Sequence, residues 1–183
     1  MKQILQTQRL TLREMTLDDL PHISKILQDA ETMTAYEGPF SDEETYTWVK
    51  RQLERYRKEG IGLWAVILND TGELIGQCGI SLQNVEGEKI PEIGYLFNRQ
   101  YWHKGYAIEA AKACLDYGFN TLSLPELFTI VRDTNIPSMN VAIRNGMVIR
   151  KRFIKHFRGI EMPHYLFSIK NGNQISSLDP KRP

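Results

Sequence analysis

The chain has 183 residues, enough for one domain with a substantial core, and its 42% hydrophobic and 25% charged residues exclude a disordered chain. A formal charge of +1 argues against partners held mainly by electrostatics, so neither a nucleic acid nor a membrane surface is expected. No run approaches the roughly 20 apolar residues of a spanning helix, no signal-peptide core follows Met1, and Cys78 and Cys114 read as small buried hydrophobes of a reducing compartment, so a cytoplasmic location is expected.

In chain order, Arg9 to Arg13 alternates with period two and reads as a half-buried strand. Thr16-Leu17-Asp18-Asp19 starts a helix with Leu20, Ile23, Ile26 and Leu27 on one face. After the Gly38-Pro39 turn, Ser41 with Glu44 reads as a capping box that opens a helix to about Lys58, with Tyr46, Val49, Leu53 and Tyr56 as its stripe. Leu63–Leu68 and Leu74–Leu82 form a hairpin across Asn69-Asp70-Thr71-Gly72. A strand over Pro91–Asn98 leads to a long helix from Gly105, whose face of Ala107, Ala110, Ala111, Cys114, Leu115, Gly118 and Leu122 is small enough to lie close on a sheet. Leu127–Val131 is a strand, Pro137–Asn145 a short helix, and Val148–Phe157 with Tyr165–Ile169 a closing hairpin. One domain over 1–170 and a polar tail over 171–183 are expected.

The chemistry concentrates between Pro91 and Met147. A short loop holding Gly105 and Ala107, where a strand hands over to a helix, offers the backbone N–H groups of His103, Lys104, Gly105, Tyr106, Ala107 and Ile108 to an anion such as a diphosphate. Gly105 puts no side chain in the way, and Ala107 keeps the next turn slim.

Glu92-Ile93-Gly94-Tyr95, then Trp102-His103-Lys104-Gly105-Tyr106-Ala107-Ile108-Glu109-Ala110, then Asn135-Ile136-Pro137-Ser138 resemble the acetyl-CoA-binding core of the GNAT N-acetyltransferase superfamily, and within it the ribosomal-protein N-acetyltransferase branch. The resemblance covers nearly the whole chain. It implies an enzyme moving acetyl from acetyl-CoA to a primary amine, either a protein α-amino group or a small molecule. It also implies that Leu96 and Phe97 hold the pantetheine arm through main-chain hydrogen bonds and that Asn135 reaches the same arm. Two usual catalytic groups of the superfamily are replaced, a tyrosine by Ala142 and a strand carboxylate by Ile130. Aminolysis of a thioester still needs a proton acceptor and a donor to the leaving thiolate, and the candidates are Glu92 and Ser138.

Each candidate has a plainer reading. Glu92 reads equally as a solvated residue at a strand start, Ser138 as a first-turn helix stabiliser, and Asn135 as an N-cap. Glu109 reads as part of a surface ion-pair row with Lys112 and Asp116. Tyr36, Glu37 and Phe40, in the irregular loop around Gly38-Pro39, are expected to shape the acceptor site, with Glu37 facing a cationic amine; Tyr36 and Trp48 read also as core. The four histidines show no metal spacing, so no metal is expected. Arg150-Lys151-Arg152 with Lys155 and Arg158 reads as one solvated strand face. The expected fold is α/β, a mixed, largely antiparallel twisted sheet with helices on both faces and splayed central strands flanking the Gly105 helix. A monomer or homodimer with acetyl-CoA and an amine acceptor as its partners is expected. A silent acyl-CoA-binding protein is the alternative, and a dinucleotide oxidoreductase is disfavoured because the loop lacks three glycines.

Overall fold

The computed structural model describes residues 2–157 and 159–172. In it, β1 (Gln3–Gln6), β2 (Leu10–Arg13), β3 (Gly62–Leu68), β4 (Leu74–Val85), β5 (Glu88–Phe97), β6 (Glu126–Arg132), β8 (Ile160–Lys170) and β7 (Val148–Phe157) lie in that order across one sheet. Short turns join β1–β2, β3–β4, β4–β5 and β7–β8, whereas β2–β3 and β6–β8 pair across longer connections; every neighbouring pair is antiparallel except β5 and β6. Those two are joined through α3 (Tyr106–Asn120), and a helical crossover returns the chain parallel. They pair at a single register position, Glu92 opposite Phe128, and part beyond it. The splay expected from the sequence is the central feature of the sheet.

The helices cover both faces. On one side α1 (Leu20–Leu27) and α2 (Asp42–Glu59) pack Ile23, Ile26, Leu27 and Val49 on Leu63 and Ala65. On the other, α3 sets Ala110, Ala111, Cys114 and Leu115 against Ile80, Ile93 and Leu127. The close approach of α3 depends on Gly118, where a Cβ would stand 2.6 Å from Leu127 Cδ1. Cys78 and Cys114 are fully buried between β4 and α3, as the sequence suggested. The short α4 (Ile136–Arg144) follows β6 and packs beside α3.

Several local signals hold in detail. Ser41 Oγ accepts from Glu44 N at 3.1 Å while Glu44 Oε2 accepts from Ser41 N at 2.8 Å, a complete capping box for α2. The 69–72 turn closes with Gly72 N to Leu68 O at 2.8 Å, Gly72 taking φ +71.

Other expectations are corrected. An additional edge strand, β1, precedes the Arg9–Arg13 segment. β4 and β5 run on to a second hairpin at Glu86-Gly87, both with positive φ as a two-residue turn of this hand requires. The stripe on α2 is rotated: Thr45, Val49 and Gln52 are buried, while Tyr46 faces solvent. Gln52 earns its burial by accepting from Leu63 N at 3.1 Å, so a polar side chain completes the helix–strand contact. The basic run divides. Lys151 pairs with Glu86 and Arg152 with Asp133, but Lys155 turns toward a cavity, and Arg158 lies outside the described residues. Of the tail expected over 171–183, Asn171 is buried and donates its N–H to Pro125 O at 2.9 Å, and residues from 173 on lie outside the described residues.

Candidate active site

The loop before α3 is built by left-handed residues. After Phe97 the chain makes a 3-10 turn over Arg99–Tyr101, capped by Asn98 Oδ1 accepting from Gln100 N at 3.0 Å. His103 and Gly105 then take φ +61 and +80. Gly105 is the N-cap of α3, and its carbonyl accepts the first helical bond from Glu109 N at 3.1 Å. The amides of Gly105, Tyr106, Ala107 and Ile108 therefore have no intrahelical acceptor and stand at the positive end of the helix dipole. A Cβ at Gly105 would meet nothing nearer than Arg9 Nη2 at 3.5 Å, so backbone conformation, rather than space within the protein, calls for glycine here.

Arg9 braces this loop, a role that the period-two reading of its strand did not show. Its Nη1 donates to Lys104 O at 3.0 Å, its Nε meets Glu109 Oε2 at 2.6 Å, and its guanidinium lies 4.5 Å from the Tyr106 ring centre. Glu109 also accepts from Thr7 Oγ1 at 2.6 Å and Arg9 N at 3.0 Å. Burial raises the Glu109 pKa, but these hydrogen bonds from Thr7 and Arg9 outweigh it and hold the carboxyl below its ordinary value. The expected surface row is thus corrected: Lys112 and Asp116 pair at 3.6 Å, while Glu109 turns toward the β1–β2 connection.

Strand parity assigns the main-chain groups at the split. Ile93 O accepts from Thr129 Oγ1 at 2.8 Å on the β6 side, and Asn98 N donates to Ile75 O at 3.0 Å on the β4 side. Alternation then directs the main-chain groups of Tyr95 and Phe97 into the gap and those of Leu96 toward Gln77 of β4. The main-chain groups of Leu96, expected from the sequence to meet the pantetheine arm, are thus engaged with β4, and those of Tyr95 face the gap. The Phe97 carbonyl accepts from Trp102 Nε1 at 2.8 Å, leaving its N–H toward the gap. Across the split, Tyr95 Oη donates to Ser138 O at 2.7 Å, and Asn135 Oδ1 caps α4 by accepting from Ser138 N at 3.1 Å. The Asn135 oxygen is engaged in the cap, so its amide nitrogen is the group suited to a ligand carbonyl.

Through the split runs a cavity of about 310 Å³, and it brings together Glu92, Tyr36, Asn135 and Ser138 with Arg55, Lys155 and His164. Glu92 sits in the interior of β5 rather than at its mouth, and its Oε1 accepts from Ile130 N at 3.3 Å. Burial pushes its pKa above the ordinary carboxyl value, and the opposing pull of Lys155, the Ile130 N–H and Arg55 does not undo it. Such a carboxylate is a stronger base than an exposed one. Tyr36 is pushed up to about 12 by burial and the neighbouring Glu92, so it remains a neutral phenol. His164 is pushed down by burial; its Nδ1 is 2.7 Å from Met162 O, which fixes the proton on Nδ1 and makes Nε2 an acceptor. In the sequence His164 reads only as one of four histidines without metal spacing. Its alternation with Leu166 and Met162 on β8 was the available signal.

The acceptor loop is partly corrected. Tyr36 and Trp48 line the cavity, and Phe40 stands behind them with its ring edge-to-face at 6.0 Å from Tyr36 and 5.7 Å from Trp48. Glu37, left-handed at φ +61, ion-pairs with Arg132 of β6 instead of entering the cavity. Trp64 is core, packed on Tyr117. Ala142 is buried in the core and Ile130 carries no acid, so neither position offers a proton donor.

A nest of helix-start amides, a parted sheet and a basic carboxylate at the base of the split define an acyl-group transferase. The family model for the acetyltransferase (GNAT) domain matches residues 9–148, and the chain belongs to that family, whose members use acetyl-CoA. It is similar to the uncharacterized N-acetyltransferase p20 of Bacillus licheniformis, 32% identical over 172 residues, covering 90% of this chain and 94% of the relative. A GNAT-family acetyltransferase structure from Bacillus anthracis superimposes with TM-score 0.76 at 29% identity, covering 91% and 98% of the two chains. RimL, a ribosomal L7/L12 α-N-protein acetyltransferase solved with coenzyme A, shares the fold with TM-score 0.75 at 14% identity over 92% and 98%.

Proposed function

We propose that this protein transfers acetyl from acetyl-CoA to a primary amine by direct attack within a ternary complex. The single observation that carries the reading is the parting of β5 and β6 beyond Glu92 opposite Phe128, which opens a cavity along the gap-facing strand with Glu92 in its wall. The diphosphate would rest on the amides of Gly105 to Ile108, and the pantetheine arm would add as a strand along Tyr95 and Phe97. A gap-facing N–H polarises the thioester carbonyl.

The amine nitrogen attacks the carbonyl carbon, forming the C–N bond as the C–S bond breaks. Glu92 takes the amine's proton, directly or through one water, and the thiolate leaves against a hydrogen bond from Ser138, collecting its proton there or from solvent. Holding amine and thioester together carries much of the rate. The competing reading, a silent acyl-CoA-binding protein, draws on the loss of an acid at Ala142 and Ile130. Thiol release from acetyl-CoA over a panel of amines and N-terminal peptides separates the two: turnover with any amine supports transfer, and tight CoA binding with none supports the silent protein. Calorimetry with NAD in place of CoA tests the site itself.

A further inference from the structure

We propose that the acceptor carries a carboxylate close to its amine, and that Arg55 and Lys155, with Arg51 at the rim, recognise it on the acceptor side of the cavity. The inference rests on the acetyl-transfer reading above and names the substrate class of that site. It shifts recognition from Glu37, expected to face the amine's charge, to cations that would meet a carboxylate beside that amine.

Four cationic side chains line the cavity among the described residues: Arg51 and Arg55 from α2, Arg132 from β6 and Lys155 from β7. Glu92 is the one carboxylate lining it among those residues. Arg132 is neutralised by Glu37, yet its buried Nε has no hydrogen-bond partner, a donor that an acceptor oxygen would satisfy. None of Arg51, Arg55 and Lys155 forms a salt bridge with a described residue; Arg55 donates to Gln52 Oε1 at 3.5 Å and feels Glu59, one turn on, and Glu92 only through the field. Arg51 and Arg55 are four residues apart on one helix, so they face the same way and repel, an arrangement that an anion between them relieves. Burial also lowers the Arg55 pKa, which marks its charge as partly stripped of water and ready to gain from a partner.

Position matters as much as sign. Lys155 and Arg55 both act electrostatically on the Glu92 carboxyl, so they stand around the group that takes the amine's proton. An amine delivered to Glu92 therefore arrives with its neighbouring atoms among cations. Arg51 and Arg55 are not suited to the cofactor's diphosphate: α2 lies on the opposite face of the sheet from α3, whose first turn offers the anion site. Tyr36 and Trp48 give the same chamber an apolar wall for the remainder of the acceptor. A free amino acid and a peptide with an acidic residue beside its α-amino group share this chemistry.

The test uses the full-length protein and matched amines: amino acids against their carboxamides, and N-terminal peptides with Asp against Asn at the second position. Thiol release gives kcat/KM for each, and calorimetry on the protein saturated with CoA gives binding of the same compounds. The carboxylate member of a pair should be favoured by about tenfold or more, the scale of one charge-assisted hydrogen bond. Arg55→Gln and Lys155→Gln should each lower that ratio, while acetyl-CoA affinity holds. The arm with the larger ratio tells a free amino acid from a peptide. Equal use of carboxamides overturns the proposal and leaves acetyl transfer standing. Carboxylate-selective binding without turnover upholds it and overturns acetyl transfer. Absence of carboxylate binding, or variants that weaken acetyl-CoA instead, overturns it.

Discussion

Replacing Glu92 by Gln tests the catalytic reading most directly, because the substitution keeps shape and removes the charge. The Gln carbonyl oxygen can still accept from Ile130 N, now 3.3 Å from Glu92 Oε1, so the strand should hold its register. General-base assistance is worth about 10²–10⁴ in rate. The acceptor nitrogen of His164 lies in the same cavity and can take over part of the proton transfer, which places the expected loss near the lower end, about 100-fold in kcat or about 2.7 kcal/mol. Acetyl-CoA affinity should hold. Wild-type kcat/KM should fall as pH drops through a value above the ordinary carboxyl range, because burial raises the Glu92 pKa, and E92Q should lose that limb.

Stability moves the other way. A carboxyl whose pKa is raised by folding stabilises the protein while protonated, and that contribution is lost as pH rises through the raised value. At neutral pH the native state therefore carries an unfavourable buried charge, and E92Q should melt higher than wild type, with the difference vanishing in acid. Thiol-release kinetics across pH and thermal melts at two pH values make the measurement. An E92Q protein with wild-type rate and an intact acidic limb would refute the assignment; so would a lower melting temperature at neutral pH, since it would mean that the charge is welcome in the fold.

Gly105→Glu should abolish acetyl-CoA binding in calorimetry and cost only about 1 kcal/mol of stability, because φ +80 strains a side chain while the space around it is open. Ser138→Ala should lower kcat by about tenfold, the worth of one hydrogen bond to a developing charge, with no change in acetyl-CoA affinity. Arg9→Ala should release Glu109 and the Lys104 carbonyl together, weakening acetyl-CoA binding while kcat at saturation holds; as the pair is half exposed, the stability loss should stay near 1 kcal/mol. Unchanged affinity there would make the brace a purely structural contact.

What the sequence by itself determined is what short-range physics controls. A capping box at Ser41, a turn at 69–72 and a glycine at the start of a small-faced helix each depend on a few adjacent dihedrals, and each stands where its residues placed it. The order of elements likewise required a helical crossover at Gly105, hence one parallel pair and the split. Tertiary structure decided which distant groups meet there. Arg9 joins Glu109 across a hundred residues, Glu37 finds Arg132, and Lys155 and His164 come to Glu92 from the last two strands. Which main-chain groups of β5 face the gap likewise turned on parity, on the side of β5 that its neighbour β4 occupies. Local preference has a reach of about one turn or one hairpin, whereas a side chain's partners depend on sheet order, strand register and the face that each helix covers, and these are settled only when the whole core closes.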